Sequence, residues 1–294
     1  MTAASDGADG YRERFYTSED NLRLYFRDYG DPLAPATPVL CLAGLTRNSK
    51  DFHDFASRLA PRRRVLCPDY RGRGRSAYDP DWRHYLPRIY TNDLLHLLAA
   101  TNLHRVVVVG TSLGGTLAMG LAVAAPSALK GVILNDIGPE MNMEWLGRLV
   151  DYIGVDRPQP DCDAAVREMK AKFPALAFAD AESWNKVVRN TYREGEDGML
   201  HFDWDVRLVK PLLDDRLEGR GPPFGLWPLF RALRRVPTLA LRGEVSEVLE
   251  EATFARMAEE KPDLVRVTVP GVGHAPTLAE AEARAAVDDF LARL

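Results

Sequence analysis

The chain has little cysteine, and none of its apolar runs is long. Its 294 residues include three cysteines, Cys41, Cys67 and Cys162, so they cannot all pair with one another. Cys41 and Cys67 fall inside apolar runs, where a thiol behaves as a small buried hydrophobe. No apolar run approaches the length of about 20 residues that a membrane-spanning helix needs. Residues 1–10 lack the basic start and apolar centre of a secretory signal. These absences lead us to expect a cytoplasmic protein.

An excess of one charge and the common cofactor motifs are also absent. The 38 basic and 42 acidic residues give a net charge of −4, so neither nucleic acid nor an anionic membrane is expected as a partner. The histidines and cysteines show no metal-ligand spacing, and no G-x-G-x-x-G follows the first apolar run. We therefore expect no cofactor and no metal, and a small molecule as the ligand.

Short apolar runs alternate with helical patterns in two parts of the chain. The first part predicts strands at 22–29, 39–43, 65–68, 105–110 and 131–135, with helices at 51–59, 90–100 and 113–125. We expect the strand at 22–29 to be an edge or hairpin strand. The alternation returns with strands at 238–242 and 264–269 and helices at 249–261 and 278–294. Such alternation predicts an α/β domain with a mostly parallel sheet.

Residues 138–235 interrupt this alternation. They hold helical patterns, at 144–152 and 163–173, but no clear apolar strand. We expect a mainly helical insertion over the carboxyl ends of the strands, where ligands bind in open α/β sheets. The alternative is a separate helical domain on a linker. The segment is rich in large aromatic residues, which indicate either an apolar or aromatic substrate or the packing of the segment itself: Trp145, Trp184, Trp204, Trp227, Phe202 and Phe224.

A glycine-flanked serine follows the apolar run at 106–109. Residues 110–115 read Gly-Thr-Ser-Leu-Gly-Gly, and a helical pattern follows. A serine with glycine two residues before and after it, between a buried strand and a helix, is typical of a nucleophile elbow. Glycine leaves room for the tight turn, and the helix N-terminus favours developing negative charge. We expect Ser112 to be a nucleophile.

A serine nucleophile needs a histidine base and a carboxylate behind it. In this type of fold the residues follow the order serine, acid, histidine along the chain. Among the six histidines, His274 lies late, in a glycine- and proline-containing loop after a predicted strand. We expect His274 to be the base.

Three acids could orient that histidine. Glu247 lies four residues after Gly243, which ends a predicted strand, and we favour it. Asp136 directly follows another strand and is the alternative acid; a helix or turn cap is its other interpretation. Glu244 is the third candidate, although it lies close to the strand end.

Developing negative charge on the substrate needs two backbone amides. One belongs to the residue after the nucleophile, Leu113, and the other to a loop after an earlier strand. In that loop Leu45 offers the amide, and Gly44 lets the backbone approach a substrate.

Taken together, these motifs resemble the α/β-hydrolase superfamily over nearly the whole chain. Two differences stand out: Ala43 precedes Gly44 where many relatives have histidine, and Ser246-Glu247 stands where relatives usually have Ser-Asp. The resemblance rests on five segments: Leu42 to Asn48, Asp69 to Ser76, Gly110 to Gly115, Leu134 to Pro139, and Gly273 to Pro276.

The resemblance implies a fold, a domain division and an activity. The fold is a mostly parallel eight-stranded α/β-hydrolase sheet with a helical cap inserted after the sixth strand. The core spans 11–137 and 236–294, the cap 138–235. The arginine-glycine loop at 69–76 is expected to brace the nucleophile region. The activity is hydrolysis of a carboxylic ester or lactone through an acyl-enzyme. Carbon–carbon bond hydrolysis, thioester or amide cleavage by the same triad, and a non-catalytic binding protein of this fold are the alternatives.

Overall fold

A computed structural model describes residues 10–173, 180–217 and 225–294. Phe224 and the segment 1–9, both considered above, lie outside the described residues. Within these ranges, ten strands run as follows: β1 Tyr11–Thr17, β2 Arg23–Tyr29, β3 Val39–Leu42, β4 Val65–Pro68, β5 Val106–Thr111, β6 Leu129–Asn135, β7 Tyr192–Glu194, β8 Leu200–Phe202, β9 Thr238–Gly243 and β10 Val265–Val269.

Eight of these strands form one sheet, in the order β1-β2-β4-β3-β5-β6-β9-β10. The pairs β1–β2 and β2–β4 are antiparallel, and the remaining neighbours are parallel. The predicted mostly parallel α/β sheet is therefore confirmed. The strand predicted at 22–29 pairs in a hairpin with β1, but it is not an edge strand, because β4 covers its other side. Sequence reasoning missed β1, whose alternation is weak.

Helices cover both faces of the sheet. Alternate residues of one strand enter two different apolar clusters: Leu40 and Leu42 pack on one face, and Val39 and Cys41 on the other. This period of two follows from the pleat of a strand. Among the described residues the helices are α1 His53–Leu59, α2 Pro87–Ala100, α3 Leu113–Ala124, α4 Met143–Ile153, α5 Cys162–Lys172, α6 Ala181–Thr191, α7 Lys210–Leu217, α8 Trp227–Arg231, α9 Glu251–Glu260 and α10 Ala281–Ala292.

Between β6 and β9 the chain holds α4 to α8 and a small hairpin, β7–β8. Asn142, Asp161 and Asp180 cap the first three helices, since each side chain accepts an amide proton from the first turn. The hairpin was not predicted, because each of its strands has three residues. That this segment forms a cap domain bounded at 138 and 235 stays a prediction.

No helix among the described residues is both long enough and apolar enough to cross a membrane.

Candidate active site

The turn that carries Ser112 joins β5 directly to α3. Ser112 has φ 53° and ψ −119°, a backbone conformation that non-glycine residues rarely adopt. The glycines around it lie against backbone: a Cβ on Gly110 would sit 2.4 Å from the Gly114 carbonyl carbon, and one on Gly114 would sit 2.0 Å from Leu42 O. The turn therefore has the geometry expected of a nucleophile elbow.

His274 pairs with a buried carboxylate. Its Nδ1 lies 2.7 Å from Oδ2 of Asp136, whose side chain is fully buried. An ionised carboxylate only accepts hydrogen bonds, so Nδ1 carries the proton and Nε2 is left as the basic nitrogen. The Asp136 carboxylate also accepts the Gly243 amide at 2.9 Å and the Ser246 hydroxyl at 2.6 Å.

The expectation that Glu247 contacts His274 was wrong. Glu247 is half-exposed and accepts a hydrogen bond from Arg148 of α4 at 2.9 Å. After β9 the chain turns through a bond from the Ser246 amide to Gly243 O, and the Ser246 side chain faces inward. The next residue, Glu247, therefore faces outward, and the alternative acid, Asp136, holds the histidine.

Glu244, the third candidate acid, does not reach His274 either. Its carboxylate accepts the Gly271 amide at 2.8 Å, and the Val245 amide donates to Val272 O at 3.1 Å. These bonds tie the loop after β10 to the loop after β9. Glu244 thus supports the chain segment that carries the histidine.

Asn135 links the serine turn to the histidine loop, and sequence reasoning missed it. Its Nδ2 donates to Thr111 Oγ1 at 3.0 Å and to Pro276 O at 2.8 Å, and its carbonyl accepts the Ser112 amide at 3.1 Å. The available signal was an asparagine that directly follows the apolar run Val132–Leu134 and precedes Asp136.

The loop after β3 lies beside Ser112. A Cβ built on Gly44 would be 3.8 Å from the Ser112 Cβ, so the backbone approaches the serine closely. Within the described part of the chain, neither the Leu45 amide nor the Leu113 amide donates to a protein acceptor. Both amides are therefore free to bind a developing oxyanion.

The arginine-glycine loop after β4 supports that loop. Arg73 donates from Nε to Leu45 O at 2.8 Å, and the Tyr70 hydroxyl donates to Ala43 O at 3.0 Å. Burial raises the pKa of Tyr70, so the hydroxyl stays protonated as a donor. The carbonyls of the loop are thus fixed, while the Leu45 amide has no protein acceptor among the residues that the structure describes.

Trp145, in the first turn of α4, contacts the histidine. Its ring meets the imidazole edge-on, with centroids 5.0 Å apart. Across the described residues, the Ser112 hydroxyl and His274 Nε2 make no hydrogen bond to each other. Such bonds often tighten only when substrate is present.

Several other aromatic rings that the structure describes between β6 and β9 pack against each other. Phe202 stacks on Trp204 with centroids 4.1 Å apart, and Trp227 meets Phe230 edge-on at 5.8 Å. Trp184 and Trp227 are buried. Of the two interpretations of these rings, internal packing fits them, whereas the Trp145 ring contacts His274.

One group of potential metal ligands comes together in the described ranges: Asp20, Asp79 and His84. The Arg71 guanidinium donates to both of these aspartates, at 2.7 Å and 2.6 Å. A positive charge already occupies this position, so the group is accounted for by ion pairing.

Comparison with known proteins agrees with this geometry. The sequence profile of the alpha/beta hydrolase family matches residues 39–287. A 3-hydroxybutyrate-oligomer hydrolase from Cupriavidus necator is 32% identical over 264 residues, covering 88% of this chain and 89% of that protein. A 2-(acetamidomethylene)succinate hydrolase from Mesorhizobium japonicum is 27% identical over 237 residues, covering 80% and 81%.

A solved structure shows the same fold at higher identity. The crystal structure of an alpha/beta hydrolase from Novosphingobium aromaticivorans is 42% identical, with a TM-score of 0.90, covering 98% of this chain and all of that one. The sequence of this chain matches one family over most of its length. The same chain has the serine turn, the histidine loop and the strand order described above. This protein is an enzyme of the alpha/beta-hydrolase family.

Proposed function

We propose that the enzyme cleaves carboxylic ester or lactone bonds through an acyl-enzyme, with Ser112 as nucleophile, His274 as base and Asp136 as acid. The observation that carries the proposal is the 2.7 Å bond from His274 Nδ1 to the buried Asp136 carboxylate, close to a serine with φ 53°. Asn135 joins the serine turn and the histidine loop and so supports their proximity.

In the first half-reaction the Ser112 oxygen attacks the ester carbonyl, and its proton passes to His274 Nε2. The carbonyl oxygen becomes an oxyanion that accepts hydrogen bonds from the Leu45 and Leu113 amides. Asp136 stabilises the imidazolium and holds the ring orientation. When the tetrahedral intermediate collapses, the leaving alcohol takes the proton from Nε2, and an acyl-serine remains.

In the second half-reaction a water molecule attacks the acyl-serine. His274 accepts its proton at Nε2, and the same two amides hold the new oxyanion. Collapse returns the proton to Ser112 and releases the carboxylic acid.

The relative from Cupriavidus necator supports an ester as substrate. Its name specifies an oligomer of 3-hydroxybutyrate, and hydroxy acids join head to tail through ester bonds. With 88% of this chain aligned, we propose short esters of hydroxy acids as the first substrates to test. The relative named for an acetamido compound makes amide cleavage the second candidate.

We also propose that residues 138–235 form a cap over this site. Two contacts support it: Trp145 packs against His274, and Arg148 pairs with Glu247. The wall of the acyl pocket would then include Trp145, which favours a substrate with an apolar portion. We retain the cytoplasm as the proposed location, which fits the three free cysteines, of which Cys41 and Cys67 are buried.

The acid assignment is tested with two matched carboxylate-to-amide substitutions. Asp136→Asn should lower kcat by about 10⁴-fold on an aryl butyrate, because the histidine loses its orienting carboxylate. Glu247→Gln should leave kcat within about threefold, since this side chain is half-exposed and pairs with Arg148. A larger loss in Glu247→Gln than in Asp136→Asn would overturn the assignment.

Ser112 is tested separately. Ser112→Ala should reduce kcat by at least about 10³-fold and abolish labelling by a fluorophosphonate probe. Wild-type turnover by the Ser112→Ala variant would exclude the covalent mechanism. A panel of hydroxybutyrate dimers, lactones, thioesters, anilides and diketones then identifies the bond cleaved.

A further inference from the structure

We infer that Ser246 is a positioning residue for the reaction, acting through Asp136 on His274. The inference rests on the proposed function, in which Asp136 is the acid. Ser246 Oγ lies 2.6 Å from Asp136 Oδ2, and His274 Nδ1 lies 2.7 Å from that same oxygen. One carboxylate oxygen is therefore shared between the histidine and the serine hydroxyl.

The hydroxyl proton of Ser246 has a defined direction. The amides of Val248 and Leu249 donate to Ser246 Oγ at 3.1 Å and 3.2 Å. A serine hydroxyl has two acceptor positions and one proton, so these amides fill the acceptor positions and the proton is left for Asp136. The chain of bonds from two amides through the hydroxyl to the carboxylate polarises each member and strengthens the last bond.

This arrangement controls how strongly Asp136 holds the protonated histidine. A buried carboxylate needs donors, and Asp136 has the Gly243 amide on Oδ1 and two donors on Oδ2. Each donor lowers the proton affinity of the carboxylate. Without Ser246 the carboxylate would become more basic and would bind the imidazolium of His274 more tightly. The imidazolium would then persist to higher pH.

The other charged groups around Ser246 have partners of their own. Glu247 pairs with Arg148, and Glu244 accepts the Gly271 amide. The Arg242 guanidinium donates to Leu249 O and Glu244 O and pairs with Glu251. For the residues that the structure describes, Asp136 forms its sole ion pair with His274. The strength with which Asp136 holds His274 therefore depends mainly on its uncharged donors, the Gly243 amide and the Ser246 hydroxyl.

A merely structural role is the competing explanation, because the same hydroxyl caps the turn before α9. The test therefore compares Ser246→Thr with Ser246→Val. The two side chains are similar in shape, and valine carries a methyl group where threonine carries the hydroxyl. Ser246 is partly exposed, which leaves room for the added methyl group. Thermal unfolding identifies any shared loss of stability, and Glu247→Gln serves as the neighbouring control.

The readout is kcat/KM against pH on an aryl butyrate. Ser246→Thr should keep the wild-type profile. Ser246→Val should move the acid limb upward by roughly 0.5 to 1 pH unit, while kcat/KM on the alkaline plateau falls by less than about tenfold. Identical profiles for the Thr and Val variants would refute the role of Ser246. If Asp136→Asn is inactive in that case, the proposed triad still stands; if Asp136→Asn is active, the triad itself fails.

A second arm uses the distance between the two side chains. Because Ser246 Oγ is close to the oxygen that holds His274, a carboxylate at 246 would reach the same region of the ring. Asp136→Asn combined with Ser246→Asp should recover at least about tenfold of the activity lost in Asp136→Asn alone. No recovery, with the double variant folded, would contradict the placement of position 246 beside the oxygen that holds His274.

Discussion

Single atoms decide whether the serine turn can form. The nucleophile elbow brings the first turn of α3 against the end of β3, and Gly114 lies at the contact. A Cβ on Gly114 would lie 2.0 Å from Leu42 O, which belongs to a central strand and cannot move aside. Gly120, six residues further along α3, would instead meet the Thr91 hydroxyl at 2.9 Å, and a side chain can rotate.

These two glycines make a matched pair for a stability measurement. Gly114→Ala should lower the free energy of unfolding by about 3 kcal/mol, because backbone must shift to admit the methyl group. Gly120→Ala should change it by less than about 1 kcal/mol, since alanine favours the helix and offsets the side-chain contact. Urea unfolding followed by circular dichroism measures both. Equal losses would show that the close approach of α3 to β3 is not rigid.

At the scale of an element, the hairpin β7–β8 depends on one histidine. His201 of β8 places Nδ1 2.6 Å from Asp156 Oδ2, and Nε2 3.1 Å from Asp197. The hydrogen bond to Asp156, followed by that to Asp197, raises the pKa of His201 above its usual value. The charged histidine thus joins the turn of the hairpin to the connection between α4 and α5.

This raised pKa predicts how stability depends on pH. The stabilisation from His201 is fully present below the ordinary histidine pKa of about 6.5, and it is lost as pH rises through the raised folded-state value. His201→Gln should therefore lower the melting temperature more at pH 5.5 than at pH 9. The exposed His104, replaced by glutamine, is the control. An equal effect of His201→Gln at both pH values would contradict the charge-based account.

At the scale of the whole molecule, a buried arginine joins distant parts of the chain. Arg71 donates to both oxygens of Asp93 in α2, to Asp79 in its own loop, and to Asp20 between β1 and β2. Arg71, Asp79 and Asp93 are almost fully buried. Burial raises the pKa of Asp93, and the guanidinium opposes this effect. The hydrogen bond from Arg71 lowers the pKa of Asp20 to about 2.

Removing the arginine should therefore be costly. Arg71→Met should reduce the free energy of unfolding by about 3 to 5 kcal/mol, because two buried carboxylates lose their cation. The contribution of Asp20 is present above its ordinary pKa of about 3.9 and is lost as pH falls towards 2, so the variant should show less acid destabilisation in that range. Arg83→Ala removes an exposed pair with Asp81 and should leave the urea midpoint unchanged. A urea midpoint for Arg71→Met that equals the wild-type value would contradict this account.

Local chemistry made much of this architecture predictable. Continuous apolar runs such as Val39–Leu42 predicted strands buried on both faces, and their alternation with helices predicted a parallel sheet. Gly110, Gly114 and Gly115 around Ser112 predicted the turn, because few side chains fit a strand that turns directly into a helix. The short hairpin β7–β8 and the strand β1 escaped prediction, since three residues or a weak alternation carry little periodic signal.

Which residues meet across the sheet was beyond local pattern. Asp136 and His274 are 138 positions apart, and Glu247 appeared the better acid when judged by its distance from a strand end. Side-chain direction overturned that choice: Asp136 has φ 54° and faces the histidine loop, while Ser246 fills the inward position and Glu247 faces Arg148. Local sequence encodes elements and turns because their causes lie within a few residues. The pairing of acid, base and Ser246 arises when β6, β9 and β10 align side by side, which is a property of the assembled sheet.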